Sequence, residues 1–286
     1  MRYAPLSRSL VPLIAALVAT TAPAQSVLVA PNVIVIDGRS RTTAITLVNN
    51  GNGPVEVSLS TAFGYPVSDS VGDVKLKTFE RVDDSLPSAA GFIQAYPSDL
   101  VMAPGTRRVI RLLASPPADL KDGEYWARLV VTTHAAKLRA PADASGGAGE
   151  ATIGIDLEIR SLLPVFFRQG ALQTRLRIDA PEARVDGDSV RVRIPMSRQG
   201  NAAFIGSVRA TLRDGVGSIR DSRVMPMGVY YALSPSLALN CRGLLPGLYQ
   251  LEIEAVTNRP DVTRGVLLQG PAATAHAAFQ LKARVP

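Results

Sequence analysis

Reactive side chains are scarce in this chain of 286 residues: one cysteine, Cys241, two histidines, His134 and His276, and one tryptophan, Trp126. A single cysteine excludes an intrachain disulfide, so stability has to come from packed apolar cores, and Cys241 itself reads as a small buried hydrophobe. The two histidines lie far apart, without carboxylate or cysteine neighbours at ligand spacing, which reads against a zinc or iron site and makes each a surface or strand-end residue. No G-x-S-x-G elbow, Walker loop or G-x-G-x-x-G stands between a strand and a helix. The glycines among residues 49–53 sit between two strands, where a hairpin accounts for them. Asp83 and Asp84 are adjacent, so in an extended chain they point apart and make no acid/base pair. The sequence therefore predicts no enzyme and no cofactor. Aromatics make up 5% of the chain, and its formal charge of +7 is spread without a basic block, which speaks against a nucleic-acid partner.

Long apolar runs are absent after the first two dozen residues. Residues 1–24 read as an export signal, with Arg2 and Arg8 at the start, an apolar run over residues 10–18, and Ala22 and Ala24 as a small-x-small cleavage site before Gln25. That run is too short to cross a bilayer, so the mature chain is expected to be soluble, exported and without a membrane span. Loss of Arg2 and Arg8 leaves an excess of +5.

What the chain does hold is β signal. Its 23 glycines and 21 prolines fall between short alternating runs instead of gathering in one tract. Residues 27–36 form a strand broken by Pro31, which places it at a sheet edge or at a switch between two sheets. Asp37 and Gly38 turn the chain, residues 42–48 and 55–60 are expected to pair as a hairpin, and the polar stretch 65–88 reads as a long surface loop with a weak strand over 74–79. Strands follow at 91–96, 97–102, 106–113 and 124–131, the last carrying Trp126 as a core anchor. Turn signals at this spacing predict an all-β fold with a first immunoglobulin-like sandwich over residues 25–168. A second β-sandwich, smaller and less regular, is expected over residues 169–286, with strands near 172–178, 190–194, 204–212, 228–233, 237–240, 248–256 and 277–283.

The organising stretch is residues 151–168. Ile153, Ile155, Leu157 and Ile159 fall on one face, with Gly154, Asp156, Glu158 and Arg160 on the other, which is a strand pattern. Just upstream, residues 140–149 are Ala, Gly, Ser, Pro and Asp, with nothing to bury. Two readings fit: a core strand closing its own sheet after an overlong loop, or a long apolar edge whose alternating row is lent to another chain by strand addition.

Residues scattered over 27–168 bear on that choice: Pro31 with Asp37 and Gly38; the run from Ile45 to Asn49 with Pro54; Pro97, Leu100, Pro104 and Gly105; Val109, Arg111 and Leu112; Gly123, Glu124 and Tyr125; and the run from Pro164 to Arg168. With them the chain resembles the periplasmic pilus chaperones of chaperone-usher systems, the PapD-like family. The resemblance implies two immunoglobulin-like domains in a boomerang arrangement, and a pilus or fimbrial subunit and an outer-membrane usher as partners. It also implies that residues 151–168 donate Ile153, Ile155, Leu157 and Ile159 to a subunit whose own sandwich lacks a strand. In the family a cleft arginine on the first strand and a lysine on the last hold the subunit's C-terminal carboxylate. Those positions fall on Val33 and near Leu162 here, and Arg160, two residues earlier on the same face, is the candidate carboxylate anchor. The alternative is a secreted two-domain β-sandwich adhesin or structural surface module, in which the strand completes its own sheet; a carbohydrate-active or peptide-binding accessory domain is a third.

Overall fold

The computed structural model describes residues 27–135, 157–263 and 265–282, and the regular structure among them is entirely β. In chain order the first half contributes β1 (Val27–Ala30), β2 (Ile34–Asp37), β3 (Thr42–Asn49), β4 (Val55–Ser68), β5 (Val74–Phe79), β6 (Ile93–Tyr96), β7 (Asp99–Met102), β8 (Arg107–Ala114), β9 (Gly123–Ala135) and β10 (Ile159–Gln169). One sheet runs β1-β3-β8-β6 and the facing one β2-β10-β9-β4-β5, with β7 also on β4. Period-two alternation turns Ile45 and Leu47, Val55 and Val57, Ile110 and Leu112, and Leu129 and Val131 into the space between the sheets, where all are buried. The two-sheet sandwich expected for this half is observed.

Pro31 acts as the sequence suggests. Before it, β1 pairs antiparallel with β3; after it, β2 pairs parallel with β10 in the other sheet. A residue without an N–H interrupts one ladder where the chain leaves for another.

Two expectations are corrected. Residues 49–54 do not close a hairpin, because β3 and β4 belong to different sheets and the segment carries the chain across the sandwich. Buried Asn49 holds the crossing: its Nδ2 donates to the carbonyls of Gly53 (2.9 Å) and Met102 (3.1 Å), and its Oδ1 accepts from the N–H of Gly51 (2.9 Å). The glycine-rich composition is the same for a hairpin and for this arch, so it could not separate them. The stretch after Tyr65 is a surface loop only in part: the weak strand expected over 74–79 is observed as β5, and what differs is that residues 65–68 are strand as well. β4 continues to Ser68, and β5 returns along it from Ser68↔Val74 to Phe63↔Phe79. Most of β5 is solvent-exposed, so its sequence carries no burial signal; the ladder and the stacking of Phe79 on Tyr65 (5.2 Å between centroids) hold it.

The second half contributes β11 (Thr174–Ile178), β12 (Glu182–Asp186), β13 (Ser189–Arg193), β14 (Met196–Gly200), β15 (Phe204–Arg213), β16 (Ile219–Val229), β17 (Ala232–Leu233), β18 (Ser236–Asn240), β19 (Gly247–Val256) and β20 (Ala273–Leu281). They form the sheets β11-β14-β17, β12-β13-β18 and β16-β15-β19-β20 around a core that includes Val190, Val192, Leu212, Leu251, Ile253 and the buried Cys241. Sequence reading misses β12, β14 and most of β16, whose exposed, arginine-bearing faces show no apolar alternation.

The tip of the β4–β5 hairpin reaches the second sandwich. The Ser236 N–H donates to the Gly72 carbonyl (2.9 Å), the Ser234 N–H to Ser68 Oγ (2.9 Å), and Arg193 to the Ser70 carbonyl (3.0 Å). Gly72 has φ +91°, and a Cβ there would lie 2.6 Å from Ser236 Cβ. Gly72→Ala should therefore lower the thermal midpoint more than Gly187→Ala, a position with φ +55° and open space around it. The second change isolates the backbone cost of about 1 kcal/mol. Equal shifts of the two variants in a calorimetric scan would show that the hairpin tip is not seated on the second sandwich.

Candidate functional site

Between the sandwiches lies a cleft whose floor is the outer face of β9 and β10. Their register sets five rows, from the junction outward: Arg168↔Glu124, Phe166↔Trp126, Pro164↔Arg128, Leu162↔Val130 and Arg160↔Thr132. Exposure rises along the series, from buried Glu124 and Trp126 to a Leu162 that is 36% exposed and a solvated Arg160. The rows nearest the junction fasten the second sandwich. The outermost ones face open space.

At the junction, Phe63, Trp126 and Phe166 of the first sandwich pack with Ala203, Ile205, Tyr230 and Val262 of the second. Trp126 is an anchor, as expected, but of this interface and not of the sandwich interior; it meets Tyr230 edge-on at 4.8 Å. Beneath the aromatics sits a buried ion pair. Arg168 Nε donates to Glu124 Oε2 (3.0 Å), and its Nη1 donates to the Val266 carbonyl of the second sandwich (2.6 Å). Glu124 Oε1 accepts from Trp126 Nε1 (3.2 Å) and from the N–H of Ala203 (3.0 Å). Each member of the pair is thus bonded to the other sandwich as well as to its partner. Burial pushes the Glu124 carboxyl above its ordinary value, with the charge and hydrogen bond of Arg168 opposing that push.

Two further arginines, neither singled out by the sequence, shape the cleft. Buried Arg128 donates from Nε to the Gly64 carbonyl (3.0 Å) and lies over the Tyr230 ring, while Arg198 lies over the rings of Trp126 and Tyr231. Burial raises the Tyr230 hydroxyl to about 12, so it remains neutral. These contacts join residues between 33 (Arg198 and Tyr231) and 102 (Arg128 and Tyr230) positions apart in the chain, and no local pattern announces them.

The structure places the predicted binding residues unevenly. Ile153 and Ile155 lie outside the described residues. Leu157 is 53% exposed and Ile159 is half-buried at the first position of β10. Their face continues through Ser161 to Leu163, Val165 and Phe167, which fill the core of the first sandwich. The row is therefore in phase with the core, exposed at its start and buried at its end. Edge pairing changes along β10 in the same sense. β9 bonds it along its whole length, but β2 covers only Val165 to Arg168, so residues 159–164 have one unpaired edge among the described residues. Arg160 is solvated and ion-paired with Glu158, whose other oxygen lies 3.7 Å from His134 Nε2. His134 thus has a carboxylate neighbour that sequence spacing does not reveal. Val33 and Leu162, the positions of the family's basic pair, are apolar: Val33 is buried in the junction cluster and Leu162 borders the open part of the cleft.

No family model and no curated protein matches the sequence. Among solved structures, the chain is similar to the CsuC–CsuE chaperone–tip adhesion subunit complex of Acinetobacter baumannii at 14% identity, with 87% of this chain and 98% of that one covered and a TM-score of 0.47. It is similar to the YadV chaperone at 13% identity, 88% and 99% coverage and a TM-score of 0.44. The E. coli chaperone DraB matches at 13% identity, 91% and 97% coverage and a TM-score of 0.40.

Arg168→Ala should destabilise the chain by about 3–5 kcal/mol, since it strands the Glu124 carboxylate in the junction. Denaturant unfolding reads this directly. The pH dependence has a definite sign. With its folded carboxyl raised above the ordinary 4.5, Glu124 makes the native chain bind more protons than the unfolded one, so its contribution to stability falls as pH rises from 4.5 through the raised value. The difference in thermal midpoint between the native chain and Glu124→Gln should accordingly move against the native chain over that interval; movement the other way would show that the carboxyl is held low.

Proposed function

We propose that this chain is a non-enzymatic periplasmic chaperone of the chaperone-usher type, which holds an aggregation-prone pilus or fimbrial subunit by donor-strand complementation. The observation that carries the reading is the unpaired edge of β10 over residues 159–164, which continues back into the alternating row Ile153, Ile155, Leu157 and Ile159. A sandwich lacking one strand can add its own edge there. Main-chain hydrogen bonds then supply affinity, and the alternate side chains supply register. A slip by one residue would present Asp156 and Glu158 in place of Leu157 and Ile159. The family resemblance over residues 27–168 supports the same reading.

In this account the bound subunit is handed to an outer-membrane usher by exchange with another donor strand, so no nucleotide is consumed. The resemblance and residues 1–24 support a periplasmic location, and in this reading residues 25–168 are the donor domain and 169–286 the second domain. Arg160 receives the subunit's terminal carboxylate in competition with Glu158, its present partner. The charge is exchanged between carboxylates and not newly desolvated, which makes the anchor weak and favours release.

Ile155→Asp combined with Leu157→Asp should leave the fold intact and abolish co-purification of the subunit from the periplasm. Subunit recovery equal to that of the native chain, with unchanged circular dichroism, would remove the donor-strand mechanism.

A further inference from the structure

The end of the second sandwich farthest from the cleft carries a feature that client binding does not use. β15 starts beside the junction residues Ala203 and Ile205 and reaches this end at Arg213, ten residues or about 30 Å away. Two turns meet there, residues 214–218 between β15 and β16, and residues 241–246 before β19, and they line one shallow cleft together. Their apices present Val216 at 87% exposure and Leu245 at 78%, the two most exposed large apolar side chains among the described residues. Ile219 and Leu248 stand beside them, each more than half exposed. Isolated surface leucines are ordinary, but Val216, Leu245 and Leu248 line one cleft together, with Ile219 following at the start of β16, and together they form a patch.

We infer that this distal tip is a membrane-docking surface that inserts its aliphatic apices into the interfacial zone of a phospholipid bilayer. Three observations favour lipid over a protein partner. First, the exposed apolar side chains here number only four, few for a stable protein interface, which buries about 800 Å² per partner. Second, three N–H groups of the turn that carries Val216 are satisfied from within. The N–H groups of Val216 (3.1 Å) and Ser218 (2.9 Å) donate to Asp214 Oδ1, and that of Gly217 donates to the Asp214 carbonyl (2.9 Å). A loop entering an apolar medium must be self-satisfied in this way. Third, cationic side chains stand directly behind the apices. Arg220 is held by Asp214, Arg213 by Glu252, Arg242 is solvated 3.9 Å from Asp188, and Lys282 follows β20. Cations at that level meet lipid phosphates when the apices are inserted. Most of them are carboxylate-paired, so apolar insertion supplies most of the affinity and binding is reversible.

The test uses the chain from Gln25 onward, which lacks the apolar export segment, and extruded vesicles of phosphatidylethanolamine and phosphatidylglycerol at three to one. The native chain should co-sediment with the vesicles and retain most of that binding in high salt. Val216→Ser combined with Leu245→Ser should lower the partition coefficient by about tenfold or more, while Leu28→Ser with Val109→Ser, exposed on the first sandwich, should not change it. Leu245→Trp should show blue-shifted emission with vesicles. A chain that stays in the supernatant at all lipid concentrations, equal sedimentation of the tip variant, or a Leu245→Trp signal that responds only to another protein would overturn the assignment. Loss of vesicle binding by the tip variant with subunit capture intact would also separate this surface from the donor edge.

Discussion

The length of β2 sets the character of this molecule. Pro31 ends the pairing of β1 in one sheet, and the strand that resumes in the other has only four residues, ending at Asp37 where the chain turns. β10 has eleven. Once β2 has covered Val165 to Arg168 nothing remains to cover residues 159–164. A sheet edge of that kind is a liability in an ordinary sandwich, because it offers a free ladder of N–H and C=O groups beside apolar side chains. Here it opens toward the cleft mouth, with the most exposed side chains at its outer end.

The cleft exists because two sandwiches are fixed to each other at separate places. At the junction, Glu124 and Arg168 each bond across the interface under a lid of aromatic rings. Farther out, the β4–β5 hairpin reaches over and hydrogen-bonds the backbone at Ser234 and Ser236. One contact would leave a hinge free to swing about the short connection after Gln169. Two separated contacts resist that rotation, so the outer rows of β9 and β10 keep a constant relation to the facing wall.

Much of this was legible in the sequence, and the residues show why. Alternation identified the core strands where one face of each is buried, as in β3 and β8. Pro31 marked a change of sheet because a missing N–H is a local fact. The arch at Asn49 was misread because glycine and asparagine report backbone freedom, not which strand the chain joins next. β16 lies largely exposed, so selection for burial left no pattern on it, and β5, equally exposed, showed only the weak strand signal over 74–79. The Glu124–Arg168 pair and the seat of Arg128 on Tyr230 depend on contacts between distant segments, which no window along the chain contains. For the donor row, spacing gave the phase, and the structure added that the same face fills the core from Leu163 onward.

The account turns on whether the outer part of β10 is open in the free chain. Amide hydrogen exchange, resolved by residue, measures this most directly. In the isolated chain, the amides of residues 160–163 that do not donate to β9 should exchange orders of magnitude faster than those of Val165 to Phe167, which lie between two paired strands. Uniform slow exchange along the whole of β10 would mean that the edge is already closed and would contradict the account.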